Sequence, residues 1–170
     1  MIWCPSSNLH LFGATADVTA LIAQGRVALG SDSRLSGEMD LLGELRVART
    51  LCAPDEGTLE ALVTVGAARL LRLHDRGVLR VGAIADLLVL PARLPLSAAT
   101  RADIRLVMVG GVMRYGDADY ARAVAPAQQY LNICVDGRSK VLDRQLAALL
   151  SCAGVKEDGV QISAARWRAA

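Results

Sequence analysis

Residues 26–52 read RVALGSDSRLSGEMDLLGELRVARTLC, and this stretch decides the fold class. Its first five residues form a short apolar run of the kind that becomes a buried strand. After the polar Ser31-Asp32-Ser33, apolar residues recur at three- and four-residue steps from residue 37 to residue 52. That period predicts an amphipathic helix, which ends near Pro54. The stretch therefore predicts a strand, a polar loop and a helix.

The sequence before this stretch shows the same alternation. Ile2–Cys4 predicts the end of a strand, residues 5–13 predict a loop, and residues 17–24 predict a short helix that Gly25 ends. A strand, a helix and a second strand at this spacing are typical of a βα unit with a parallel sheet. The fold class expected from the sequence is therefore α/β.

The second half of the chain predicts mainly short strands. A helix is expected at residues 58–71, and glycines then separate short apolar stretches that end in Leu87–Leu90. Gly110-Gly111 and Asp136-Gly137 each divide two apolar runs, which predicts two β-hairpins. With a last helix expected over about residues 143–152, this half predicts a β-rich region that is followed by a helix.

Composition and charge exclude several classes of protein. With 53% hydrophobic residues and a net charge of +2, the chain is neither a disordered segment nor a basic nucleic-acid-binding protein. No apolar run reaches the roughly 18 residues of a membrane span. No charged leader follows Met1, so we expect a cytoplasmic protein without a membrane partner.

Without a C-x-x-C pair, we predict reduced, buried thiols at Cys4, Cys52, Cys134 and Cys152.

Two polar loops each follow the carboxyl end of a predicted parallel strand, where barrel and open-sheet enzymes collect their functional side chains. They are residues 4–8, CPSSN, and residues 30–33, GSDS. A carboxylate such as Asp32, between small hydroxyl residues, can bind a divalent cation or accept a proton from water. It can also cap the helix that follows. The residues alone leave both roles open.

Four segments in a fixed order carry a resemblance to a known family. They are CPSSNLHLFG (4–13), VALGSDSRLSGEMDLLGELRVART (27–50), LVTVGAARLLRL (62–73) and GVLRVGAIADLLVL (77–90). Together, over about residues 2–116, they resemble the C-terminal part of the metal-dependent amidohydrolase superfamily, in the branch of the cytosine, guanine and adenosine-type deaminases and the triazine hydrolases.

This resemblance implies a fold and a division into domains. The family has a (β/α)8 barrel, together with a small β-sandwich that both ends of the chain build. Residues 1–73 are then expected to form the last βα units of an incomplete barrel, and residues 74–120 a small β-rich part of the sandwich. Residues 121–170 are expected to form a mixed α/β tail of unknown role.

The resemblance also implies roles for single residues. Asp32 matches the aspartate after the eighth barrel strand, which binds the metal, zinc or iron, and moves protons for the attacking water. Ser7 and Asn8, with Pro5, match a segment that helps to shape the substrate pocket, and a hydrogen-bonded turn is the alternative role for them. Gly77 and Gly82 are expected to make turns, and Asp86 is expected to satisfy backbone donors in one of them.

Other ligands of the family's metal are missing from this sequence. They come from an H-x-H motif and two later histidines, whereas this chain has only His10 and His74, which are poor candidates. We therefore interpret the chain as a C-terminal fragment or a subunit of a metal-dependent hydrolase that acts on C–N bonds other than peptide bonds. Its small-molecule substrate would require an N-terminal half, and its exposed apolar faces predict self-association or a complementary chain. The alternative is a noncatalytic interaction module derived from the same fold.

The purified chain is predicted to be inactive by itself. One carboxylate cannot replace the three protein ligands of an open catalytic metal site, so added zinc, iron or manganese should produce no deaminase activity. The measurement is ammonia release from guanine, cytosine, adenosine and aminotriazine substrates. Saturable, metal-dependent release by the pure chain would contradict this prediction.

Overall fold

The structure, a computed structural model, describes residues 1–52, 54–154 and 156–162. Contacts divide the chain into two compact units. The first contains Met1–Ile84 and Ala92–Thr100, and the second contains Ala85–Pro91 and the chain from Arg101 onward. The boundaries that the sequence predicts after residues 73 and 120 stay a prediction, because contacts alone define these units.

The first unit is mainly helical and contains one pair of short parallel strands. Ile2 lies opposite Ala28, and Trp3 lies opposite Leu29, which confirms the predicted parallel strands. Helices α3, α4 and α5 pack against β2, and a short 3₁₀ helix, Leu96–Ala98, packs against α3 and α4. The elements in chain order are β1 (Ile2–Trp3), α1 (Pro5–Phe12), α2 (Thr19–Ala23), β2 (Ala28–Leu29), α3 (Leu41–Cys52), α4 (Glu56–Val63) and α5 (Val65–Leu70).

The loop predicted for residues 5–13 is wrong, because Pro5–Phe12 forms helix α1. Proline is well suited to the first turn of a helix, where its missing N–H leaves no hydrogen bond unmade. Gly13 ends the helix in the left-handed conformation, with φ of 67°, and its N–H donates to the carbonyl oxygen of Leu9. The polar run after Pro5 therefore lies in the first turns of a helix rather than in a loop.

The two other long helices of this unit differ from their predicted bounds. Helix α3 begins at Leu41, four residues after the predicted start, and the Asp40 carboxylate accepts a hydrogen bond of 2.8 Å from the Gly43 N–H. The predicted helix 58–71 is broken at Thr64, whose φ of −125° and ψ of −111° separate α4 from α5. Asp55 caps α4 by accepting from the Thr58 N–H at 3.0 Å.

The core of the first unit surrounds Trp3, which is fully buried. The indole N–H of Trp3 donates to the Thr15 hydroxyl at 2.8 Å, so the one polar atom of this side chain is satisfied. Burial of each large apolar side chain stabilises the unit by about 1.5–3 kcal/mol. The other buried side chains include Val18, Val27, Leu45, Leu59 and Leu62.

The second unit is built on an antiparallel sheet of six strands, in the order β3-β4-β5-β7-β6-β8. Both predicted hairpins are confirmed: Gly110 and Gly111 join β4 to β5, and Asp136 and Gly137 join β6 to β7, all four with positive φ. The elements are β3 (Leu87–Val89), β4 (Leu106–Val109), β5 (Val112–Gly116), α6 (Ala118–Val124), β6 (Tyr130–Val135), β7 (Arg138–Asp143), α7 (Arg144–Cys152) and β8 (Val160–Ile162).

The strands after residue 121 belong to the same sheet as those before it, because β7 pairs with β5. Val141 and Leu142 are neighbours in β7, so they point to opposite faces of the sheet. One face carries an apolar cluster with Ala121 of α6, and the other carries a cluster with Ala147 of α7. The predicted last helix is confirmed as α7, which Asp143 caps through the Leu146 N–H at 2.9 Å.

Two expectations about single side chains have different outcomes. Asp86 satisfies a backbone donor, but in another turn than expected, because its Oδ1 accepts from the Gly110 N–H at 2.7 Å in the β4–β5 turn. The prediction of four buried cysteines is wrong, since Cys152 is exposed at the last residue of α7 and the other three thiols are half-buried. Within the described ranges, no helix has the length and apolar character that crossing a membrane requires.

Arg101 ties the β6–β7 turn to the segment before β8. Its guanidinium donates to both carboxylate oxygens of Asp136, each at 2.8 Å, to Glu157 at 2.7 Å and to the carbonyl oxygen of Asp158. The hydrogen bond from Arg101 holds the pKa of Asp136 below its ordinary value. A forked arginine–carboxylate pair of this kind fixes geometry as well as adding energy.

We expect Arg101→Ala to destabilise the second unit by about 1–2 kcal/mol, because the substitution removes a forked, half-buried ion pair. The matched control is Arg122→Ala, which removes an exposed pair with Asp119 on α6 and should cost less than about 0.5 kcal/mol. Urea unfolding followed by circular dichroism measures both. An equal loss of unfolding free energy in the two variants would show that the hydrogen bonds of Arg101 stabilise the unit no more than a surface ion pair does.

Candidate functional site

The parallel pairing of β1 and β2 brings two chain segments together at the carboxyl ends of these strands. Cys4 and α1 follow β1, and residues 30–33 follow β2. Parallel strands end at the same edge of their sheet, so the side chains that come next meet there. The two polar loops that the sequence singled out, one of which is the first turn of α1, are therefore neighbours.

Ser7 and Asp32 are in direct contact. The Ser7 hydroxyl donates to Oδ2 of Asp32 at 2.6 Å and lies 2.8 Å from the hydroxyl of Ser36. Ser7 is buried, whereas Asp32 is exposed and has a positive φ of 52°. Aspartate tolerates this conformation better than most residues, and it directs the carboxylate toward α1. Two of the predicted site residues thus lie in one cluster.

The alternative role of Asp32 as a helix cap is wrong. The next helix, α3, begins at Leu41, and it is Asp40 that accepts a hydrogen bond from its first turn. The carboxylate of Asp32 instead accepts from Ser7. This side chain is therefore not used to begin a helix.

Asn8 is bound to its own part of the fold. Its side-chain amide donates to the Thr15 hydroxyl at 3.1 Å, the same oxygen that accepts from the indole of Trp3. This contact ties α1 to the segment that follows it. The predicted contact of Asn8 with a substrate stays a prediction.

Glu44 belongs to the same cluster and was missed from the sequence. It is fully buried, and its Oε1 accepts from the Ser6 hydroxyl and from the Glu38 N–H at 3.0 Å, while Oε2 accepts from the Ser6 N–H at 3.3 Å. The signal was present: Glu44 stands three residues before Val47 and four before Ala48, on the apolar face of α3. A charged residue on that face predicts a buried, hydrogen-bonded carboxylate.

Close backbone contacts hold the loop that carries Asp32 in place. A Cβ atom at Gly37 would lie 2.4 Å from the carbonyl oxygen of Ser31 and 3.0 Å from Oε1 of Glu44. Only glycine fits at this position without moving the backbone. The loop between β2 and α3 is thus folded tightly against the buried carboxylate.

The Cys4 thiol lies beside both carboxylates. Burial raises the pKa of Cys4, and the negative charges of Asp32 and Glu44 raise it further. A thiol with a raised pKa has little of the nucleophilic thiolate at neutral pH. The pKa of the Cys4 thiol is therefore sensitive to the charges of Asp32 and Glu44.

The described residues do not by themselves fit a catalytic metal. Within those ranges, no three histidine, cysteine, aspartate or glutamate side chains come together as metal ligands. His10 is exposed in the last turn of α1, and His74 lines a groove with Arg69 and Arg80 that contains no predicted site residue. Asp32 is thus a single carboxylate, where an open catalytic site has three protein ligands.

We predict that Cys4 reacts slowly with iodoacetamide at neutral pH and that Asp32→Asn makes the reaction faster. Removal of the Asp32 charge lowers the pKa of the Cys4 thiol, so more thiolate is present at a given pH. Peptide mass spectrometry measures the rate at Cys4, and the exposed Cys152 is the internal control. An unchanged rate at Cys4 would mean that the Asp32 carboxylate does not face the thiol.

Comparisons with known proteins identify the family of this chain. The model of the Amidohydrolase family matches residues 2–114. A 5-methylthioadenosine/S-adenosylhomocysteine deaminase of Nitratidesulfovibrio vulgaris (strain DP4) is 30% identical over 142 residues, which are 70% of this chain and 32% of the relative. A protein of the same name from Syntrophobacter fumaroxidans (strain DSM 10017 / MPOB) is 39% identical over 102 residues, 54% of this chain and 23% of the relative.

A third protein of that name, from Nitratidesulfovibrio vulgaris (strain DSM 19637 / Miyazaki F), is 33% identical over 146 residues, 72% of this chain and 33% of the relative. No solved structure matches the chain. The chain spans between 23% and 33% of the length of these curated relatives. The family match extends over well more than half of the sequence and includes the cluster of Ser7 and Asp32, so the chain belongs to the amidohydrolase family.

Proposed function

We propose that this chain is the C-terminal part, or a subunit, of a metal-dependent hydrolase of the deaminase type that acts on C–N bonds other than peptide bonds. One observation carries the proposal: the hydrogen bond between Ser7 and Asp32 at the carboxyl ends of two parallel strands, in a chain of the amidohydrolase family. Active sites of parallel α/β folds lie at this edge.

In this proposal, β1 and β2 are the seventh and eighth strands of a (β/α)8 barrel. They pair only with each other among the described strands, and a barrel requires neighbours on both sides. Residues 1–73 would then be the last barrel units and residues 74–120 part of a composite sandwich. Residues 121–170 would be a tail whose described strands extend the same sheet.

Asp32 is proposed as the catalytic carboxylate and as the contribution of this chain to a metal site, with zinc or iron as the family's metal. Its exposure leaves it accessible to a substrate, and the Ser7 hydroxyl orients one of its oxygens. The remaining ligands would have to come from a polypeptide that corresponds to the other two thirds of the relatives. Ser7 and Asn8 are proposed to line the substrate side of this site.

The proposed substrate is a 6-aminopurine nucleoside with a thioether at the 5′ position, because the relatives are named for 5-methylthioadenosine and S-adenosylhomocysteine. In a deamination, water adds to the ring carbon that bears the amino group, and ammonia leaves. A carboxylate at the site can accept the proton of the water and deliver it to the departing nitrogen. Asp32 is the group proposed for this transfer.

Exposed apolar side chains of the first unit are proposed to be covered by a complementary polypeptide or by self-association. Phe12 at the end of α1 is 76% exposed, and Leu35 in the loop after Asp32 is 92% exposed. Large exposed apolar side chains near a site are typical of an interface. The noncatalytic interaction module has no separate observation in its favour.

The test is to produce the chain together with the N-terminal two thirds of the relative from Nitratidesulfovibrio vulgaris (strain DP4). The two polypeptides together should release ammonia from 5′-methylthioadenosine in a metal-dependent reaction. Asp32→Asn should then lower turnover by about 10²- to 10⁴-fold, since the amide is nearly isosteric but accepts no proton. Size-exclusion chromatography verifies that the variant still assembles.

Asp86→Asn is the matched control for that substitution. Asp86 accepts from the Gly110 N–H in a turn of the second unit, so its loss should lower stability but leave turnover per assembled complex nearly unchanged. Near-normal turnover of Asp32→Asn, or abolished turnover of a folded Asp86→Asn, would overturn the assignment of the two aspartates.

A further inference from the structure

Glu44 is a buried carboxylate that the proposed reaction does not use. It is 0% exposed, and no basic side chain in the described part of the chain pairs with it. Burying a charge without a counter-ion costs free energy unless hydrogen bonds compensate for the lost water. Burial of this carboxylate therefore costs folding free energy unless its hydrogen bonds compensate. The partners of those hydrogen bonds indicate the role of Glu44.

The hydrogen bonds of Glu44 go to the two segments that carry the candidate site. Ser6 donates both its N–H and its hydroxyl to Glu44, and Ser6 is the residue before Ser7 in the first turn of α1. The Glu38 N–H donates to Oε1 of Glu44 at 3.0 Å and to the Ser6 hydroxyl at 3.1 Å, at the end of the loop that carries Asp32. From its position on α3, the Glu44 carboxylate thus accepts hydrogen bonds from both segments.

We propose that Glu44 is the positioning residue of the Ser7–Asp32 pair. Glu44 fixes Ser6, so the Ser7 hydroxyl is directed at Oδ2 of Asp32. Glu44 also fixes the Glu38 amide, so the loop of residues 30–38 is held at a constant distance from α1. The inference rests on the proposed function only in taking Asp32 as the carboxylate of the site.

The loop that carries Asp32 has no regular secondary structure of its own, so its position depends on individual contacts. Residues 30–40 contain turns but no helix or strand, and Asp32 has a positive φ of 52°. A residue other than glycine in this region costs about 1 kcal/mol or more, and it persists only where the surroundings determine it. Ser36 also contacts Ser7, so displacement of the loop would disrupt two bonds at once.

The test is a double-mutant cycle between Ser7 and Glu44 in the chain as it exists. Trp167→Phe is introduced throughout, so that the fluorescence of the buried Trp3 follows urea unfolding of the first unit. Ser7→Ala removes the hydroxyl that binds Asp32, and the shift of the unfolding midpoint it causes is measured in four backgrounds. These carry glutamate, glutamine, aspartate or alanine at position 44.

If Glu44 positions the pair, the shift caused by Ser7→Ala falls by more than half in the Glu44→Ala background. It should be retained in part with Glu44→Gln, because the glutamine oxygen can still accept from the Ser6 hydroxyl and the Glu38 N–H, while its amide nitrogen cannot accept from the Ser6 N–H. Glu44→Asp keeps the charge but shortens the side chain by one methylene group, so the shift should fall there as well. If Glu44→Ala does not fold, the shift caused by Ser7→Ala in the Glu44→Asp background is compared with the shift in the Glu44→Gln background instead.

Thr58→Ala provides the control for the cycle. The Thr58 hydroxyl donates to Asp55 at 2.6 Å, the same length as the bond from Ser7 to Asp32, but it has no contact with Glu44. Its midpoint shift should be equal in all four backgrounds. A Ser7→Ala shift that is also equal in all backgrounds would overturn the proposal and leave Glu44 with a structural role only. An equal fall with Glu44→Gln and Glu44→Ala would overturn it as well, because the two hydrogen bonds that glutamine can keep would then contribute nothing to the position of Ser7.

This experiment is independent of the proposed function. It requires no metal, no complementary polypeptide and no turnover, so a failed reconstitution leaves its outcome unchanged. If reconstitution succeeds but the midpoint shifts of Ser7→Ala and the Glu44 variants are additive, the positioning role of Glu44 is rejected and the proposed hydrolase function stands. Strong coupling without reconstituted activity would keep the role of Glu44 and reject the hydrolase.

Discussion

The parallel pairing of Ile2 with Ala28 and of Trp3 with Leu29 is the constraint on which the rest of the first unit depends. Two residue pairs are a short ladder, and the fully buried Trp3 with its hydrogen bond to Thr15 supports it from one side. Because the strands are parallel, their carboxyl ends lie together, and whatever follows each strand meets the other. The contact of Ser7 with Asp32 is a direct consequence of this pairing.

The site is held by hydrogen bonds to two carboxylates. Among the described residues, the Glu44 carboxylate accepts from Ser6 and the Glu38 amide, and that of Asp32 accepts from Ser7. Burial, followed by the negative charges of Asp32 and Glu44, raises the pKa of the Cys4 thiol above its ordinary value. Both carboxylates are thus close enough to act on the one thiol at the carboxyl end of β1.

The second unit is stabilised by different means. Its sheet is continuous from β3 to β8 and has apolar clusters on both faces, with α6 and α7 covering them. Lys140 in β7 is buried and donates to Asp117 and to the carbonyl oxygen of Ile104, so the charge of its ammonium group is compensated. These bonds, with those of Arg101, fix the connections between strands rather than a reactive side chain.

The sequence by itself determined the features that depend on residues close together in the chain. The period of α3 and the glycine turns of both hairpins are local signals, and local hydrogen bonds realise them. The polar loops around Ser7 and Asp32 were found because parallel strands carry functional side chains at a known end. Only the tertiary structure decided that β7 pairs with β5 and that Glu44 bonds to Ser6 of α1. Each of these depends on contacts between residues far apart in the sequence, and packing against such partners outweighs the local preference of a segment.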